Sequence, residues 1–120
     1  MGDYDAPLIG GYCLTRESPD SVEILHTNDS RHLGVPAKVI SIAWNRRFII
    51  AKQQELKNRG DFPGDTFQVP VSGKFNYWLI DTVQTNRSGP MSENEFITKV
   101  KQLGLFDLKL KDVGEVVRQR

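Results

Sequence analysis

The run from Phe75 to Leu103 constrains the fold more than any other stretch, because both hydrophobic periods follow one another in it. From Lys74 to Gln84 the side chains alternate. Phe75, Tyr77, Leu79, Asp81 and Val83 point one way, and Asn76, Trp78, Ile80, Thr82 and Gln84 the other, which is the two-residue repeat of a β-strand. Thr85 to Ser88 lead into a turn at Gly89-Pro90. Ser92 is then placed to cap the free amides of a helix, and Glu95 to reciprocate three residues on, as a capping box. Phe96, Val100 and Leu103 recur at helical spacing with Ile97 beside them, forming a stripe that can cover a sheet, and Gly104 supplies the stop. The segment therefore specifies a strand delivered onto a helix.

The rest of the chain reads mainly as short strands. Residues 1–9 form an arm or edge segment in which Pro7 limits ladder participation. Gly10 and Gly11 allow a turn before a strand from Tyr12 to Arg16. Ser18-Pro19-Asp20 breaks it, and Val22 to His26 forms a second strand with Val22 and Ile24 on one face. The polar run T-N-D-S-R-H is a loop, with Leu33 and Val35 anchoring its return. K-V-I-S-I-A-W, N-R-R and F-I-I-A-K-Q spell a hairpin, with Ile40, Ile42 and Trp44 on one face and Val39, Ser41 and Ala43 on the other. Residues 54–73, punctuated by Gly60, Asp61, Pro63, Gly64 and Asp65, read as a long flexible loop, with a short helix from Glu55 to Arg59 as a weak option. So long a structureless segment is unusual in a small domain and marks a binding loop. Residues 105–120 carry two patterns, an edge strand through Leu105, Phe106, Leu108 and Leu110 and a frayed helix through Val113, Val116 and Val117. The expected fold is a single α+β domain over residues 1–120. It has a mainly antiparallel sheet of about five or six strands, with one main helix packed on a face.

Composition narrows the function classes. The 120 residues are 38% hydrophobic, enough for one core. A formal charge of +1 leaves no global field to attract nucleic acid or an anionic membrane. The first 30 residues are nevertheless acidic, with Asp3, Asp5, Glu17, Asp20, Glu23 and Asp29 against Arg16. Cys13 is the only cysteine, so no intramolecular disulfide can form, and a small core residue on a strand is its plainest role. No run approaches the roughly 20 apolar residues of a transmembrane helix. No secretory signal pattern opens the chain, which points to the cytoplasm if the chain is complete.

No G-x-S-x-G, H-E-x-x-H, P-loop or dinucleotide motif is present, so no catalytic residue, cofactor or metal ligand is nominated. An enzyme or metal-binding alternative would require His26 and His32 to meet a carboxylate such as Asp29. Arg46 and Arg47 beside Trp44, with Lys52, Lys74, Tyr77 and Trp78, resemble a base-stacking surface. Parity argues against it, since Trp44 shares its face with Ile40 and Ile42 and reads as core. Protein binding asks only for complementary contacts. The candidate binding residues are Arg46 and Arg47 at the hairpin link, Asp61 and Asp65 in the long loop, and Asp81 at the end of the aromatic strand. In its structural role, Asp81 would accept hydrogen bonds from Thr85 to Ser88 or pair with Lys52. The expected partner is another protein, a toxin's immunity pair being one such case, and the oligomeric state is not indicated.

Gly2-Asp3-Tyr4-Asp5 with Leu8 and Gly11-Tyr12, then Ile40 to Asn45, Phe48 to Gln53, Tyr77 to Asp81, and Gly89-Pro90-Met91 with Glu95-Phe96, occur in this order along most of the chain. In this the chain resembles a family of small uncharacterised bacterial proteins found especially in Bacillus and its relatives. Members often look like lipoproteins, with a lipid-modified cysteine shortly before the Gly-Asp-Tyr-Asp stretch, where this chain has Met1. The resemblance implies no activity. It implies a setting at the cell envelope if an anchor precedes this sequence.

Overall fold

Two central strands that are apolar on both faces set the layering. A computed structural model describes residues 4–27 and 33–118. In β5 (Phe48–Asn58) and β6 (Gln68–Asp81), Ile49, Ala51, Trp78 and Ile80 are buried on one side of the sheet, and Ile50, Tyr77 and Leu79 on the other. Strands of this kind need cover on both sides.

The sheet itself is five-stranded and antiparallel, in the order β7-β6-β5-β4-β8, with β4 at Val39–Trp44, β7 at Asn86–Met91 and β8 at Lys111–Asp112. One face is covered by α1 (Glu93–Leu103), and the fold is α+β, as the periodicity predicts. The other face is covered by a second antiparallel sheet of order β1-β2-β3, comprising Tyr4–Pro7, Tyr12–Ser18 and Ser21–His26. Leu14, Val22 and Ile24 of this sheet pack with Ile42, Ile49 and Ile80 of the larger one, and α2 (Val113–Arg118) adds Val116. Burying an aliphatic side chain of this size contributes about 1.5–3 kcal/mol before ordering costs, so this apolar seam dominates the stability.

The helix forms where its caps require. Ser92 Oγ accepts from the Glu95 N–H at 3.2 Å, and Glu95 Oε1 accepts from the Ser92 N–H at 2.8 Å. Phe96 stacks on Tyr77 with ring centroids 4.9 Å apart. Leu103, expected in the covering stripe, is instead 39% exposed. The chain ends the helix with Gly104 at φ 67°, and the Leu105 N–H donates to Val100 O at 3.0 Å. That turn folds Leu105 back into the core in place of Leu103.

Other expectations are corrected. Gly89 and Pro90 lie within β7, and the turn from β6 is made by residues 82–85. Val39 joins Ile42 and Trp44 on one face because the pairing of β4 with β5 shifts register between Val39 and Ser41. Residues 54–73 are not a loop, since β5 runs to Asn58 and β6 starts at Gln68, and Glu55 to Asn58 are strand rather than helix. Of the two patterns after Gly104, the strand is confined to Lys111–Asp112, and the helix follows it.

Candidate functional site

What remains of the expected loop is the connection 59–67 at the end of the long β5–β6 hairpin, and its shape is set by one carboxylate. Ladder pairing holds to Asn58 opposite Gln68, and the Arg59 N–H donates to Phe67 O at 2.7 Å. Gly60 and Gly64, at φ 73° and 83°, allow the chain to reverse. Asp65 is then turned inward, with 7% of its surface exposed. It accepts from Arg59 Nε at 2.8 Å, from the Asp61 N–H at 3.1 Å and from the Phe67 N–H at 3.1 Å. The Arg59 side-chain hydrogen bond, supported by the two backbone N–H groups against the opposing effect of burial, holds the Asp65 carboxyl below its ordinary range. Asp61 pairs with the same guanidinium from outside at 3.0 Å.

With the charges thus joined to one another, the tip presents rings. Phe62 is 57% exposed and Phe67 59% exposed, and the Arg59 guanidinium lies 4.8 Å from the Phe67 ring centroid. Of the residues expected here, Asp61 and Asp65 come together, but around Arg59 rather than toward solvent as a ligand pair. The two phenylalanines were not among the expected site residues. For Phe62 a signal was available, since within the Gly- and Asp-rich segment it has no apolar neighbour at strand or helix spacing, whereas Phe67 has Val69 two residues on and reads as part of a strand.

The other nominated residues lie at the opposite end of β5, roughly 30 Å away at the rise of an extended strand. Arg47 Nε and Nη2 donate to the two oxygens of Asp81 at 3.1 and 2.9 Å, a bidentate pair. Asp81 also accepts from the Val83 and Gln84 N–H groups at 3.0 and 3.2 Å. These bonds, led by that from Arg47, hold its carboxyl low. Asp81 thus organises the β6–β7 turn, but through Arg47 and not through Lys52 or residues 85–88. Arg46 is exposed beside this pair. Lys52 sits over the Phe75 ring at 4.4 Å. Tyr77 and Trp78 are buried, so the base-stacking surface considered from the sequence is not displayed.

For the histidine alternative, His32 and Asp29 lie outside the described residues. His26 meets the Tyr12 ring edge-on at 4.7 Å. Among the described residues no three His, Cys, Asp or Glu side chains are grouped to hold a metal ion. Burial, and secondarily Asp5, push the Cys13 thiol up, away from the thiolate that a nucleophile requires. No described helix is long and apolar enough to cross a membrane.

Residues 9–114 match the model of a family described as "Protein of unknown function (DUF3997)". No curated protein and no solved structure matches the chain.

Proposed function

The chain belongs to that uncharacterised family, and from this premise we propose that it is a non-catalytic protein-binding module whose docking element is the β5–β6 hairpin tip. One observation carries the reading: two phenyl rings stand more than half exposed on a turn held in shape by a buried, fully engaged Asp65. Aromatic anchors on a preordered turn lose little freedom on binding, and such residues supply most of the energy of protein interfaces. The partner that fits is a protein offering apolar pockets to Phe62 and Phe67. We place the module at the bacterial cell envelope, on the lipoprotein-like character of the proteins that the chain resembles.

The test is site-specific photo-crosslinking in the native host, with a photoreactive residue at position 62 or 67 and a control at Lys99 on α1. A discrete adduct from the tip positions that disappears in Asp65→Ala supports the assignment. Adducts shared with position 99, or indifferent to Asp65, defeat it. Metabolic labelling of the full gene product with a fatty-acid analogue tests the envelope setting separately, and an unlabelled product would remove it.

A further inference from the structure

A second surface lies between the two sheets, far from the hairpin tip, where β1 and β4 face the segment leading into β8. It is a groove of about 530 Å³, within the range that small ligands occupy. Its floor is apolar, built by buried Ile42 and Val116 with half-buried Trp44 and Leu108 beside them. Its rim carries exposed Lys109 and Lys111 against a single carboxylate, Asp107. Among the described residues neither lysine's ammonium group has an ion-pair partner. β8 extends the sheet beside β4 only at Ser41 and Ile42, so the wall at Ala43 and Trp44 is left uncovered on that side.

We propose that this groove binds a small amphipathic anion, an apolar chain ending in a carboxylate, with the chain along Trp44 and Leu108 and the head group between Lys109 and Lys111. The charge balance selects the sign of the head. A cation would meet two ammonium groups and one carboxylate, whereas an anion meets the reverse and can take charge-assisted hydrogen bonds from both lysines. The apolar wall selects the tail, because a fully polar anion would gain nothing from covering the half-buried Trp44 and Leu108.

Titration calorimetry with dodecanoate, kept below its aggregation threshold, and with dodecyltrimethylammonium compares the two heads on one tail. Saturable 1:1 binding of dodecanoate is expected, at least tenfold tighter than the cation, with roughly tenfold weakening in the K109Q/K111Q double variant. Both lysines are exposed, so that variant folds like the parent, which a thermal melt verifies. In amide and indole NMR spectra, dodecanoate should move the Trp44 indole signal and leave that of buried Trp78 in place. Equal affinity for both heads, indifference to the double variant, perturbation centred away from Trp44, or no saturable binding would each overturn the assignment.

Discussion

The indole Nε1 of Trp78 donates to Oε1 of Gln53 at 2.7 Å, and both side chains are buried. Gln53 passes the connection on, its Nε2 donating to Ala37 O at 2.7 Å. The same indole lies 5.1 Å from the Arg87 guanidinium, which donates to Gly34 O at 2.7 Å. One aromatic residue on β6 thus fastens the segment that returns the chain from the small sheet to the large one.

Gln53→Leu fills the same space but strands the Trp78 N–H and the Ala37 carbonyl without partners. The buried indole N–H costs about 1–3 kcal/mol and the half-buried carbonyl less, so a loss of roughly 1–4 kcal/mol is expected in urea unfolding. Adding Trp78→Phe removes one of the orphans. The double variant should therefore lose at least ~1 kcal/mol less than the sum of the two singles, and simple additivity would show that the pair is not coupled.

Gly89→Ala tests how closely β7 is seated on the same indole. A Cβ there would stand 2.7 Å from Trp78 Cε3 and 2.9 Å from Tyr77 O, with the backbone at φ 144°. Backbone and a packed ring cannot both yield, so at least ~2 kcal/mol should be lost, seen as a lowered denaturant midpoint with an unchanged slope. A midpoint equal to that of the parent would refute the close approach.

The helix and its caps were legible because their causes are local. Ser92, Glu95 and Gly104 each act within one turn of chain. Leu103 was misplaced because helical spacing says nothing of the turn after Gly104 that brings Leu105 inward. The outer hairpin was hidden by Pro70 and Gly73, which read as strand breakers. Among the described residues the outer half of β6 has β5 on one side and no strand on the other, so the missing N–H of Pro70 interrupts no second ladder there. Gly73, at φ 75°, sits where pairing advances from Gln54 to Leu56 along β5 but from Phe75 to Pro70 along β6. Among the nominated carboxylates, sequence distance concealed the partners: Arg47 meets Asp81 only because β5 and β6 pair Phe48 with Asp81. The second sheet is a meander of neighbouring strands, but its packing on the larger sheet brings Leu14 and Ile24 to Ile42, Ile49 and Ile80, a contact between distant segments that no local period encodes.

Acid should weaken both carboxylate-centred turns. Asp65 and Asp81 have folded values below the ordinary 3.8, chiefly through Arg59 and Arg47 respectively. Depressed folded values mean that their stabilisation is fully present above 3.8 and is lost as the pH falls through the lower folded values. Denaturant midpoints measured from pH 6 down to pH 2 should fall, and Asp65→Asn and Asp81→Asn should each flatten that fall. A slope identical to the parent in both variants would show that other groups carry the acid sensitivity.

At the hairpin tip, order and display should separate. Phe62 is exposed, so Phe62→Ser should change stability by no more than about 0.5 kcal/mol. Phe67→Ser also loses the contact with Arg59, which adds up to ~1 kcal/mol at an exposed site. Asp65→Ala acts differently, because it leaves the Arg59 guanidinium and the Asp61 and Phe67 N–H groups without their shared acceptor. Hydrogen exchange should then accelerate across residues 59–67 while β5 and β6 near Ile50 and Leu79 keep their protection. The serine variants should leave the amides of 59–67 as slow as in the parent. Equally fast exchange in all three would mean that the rings, and not the carboxylate, hold the turn together.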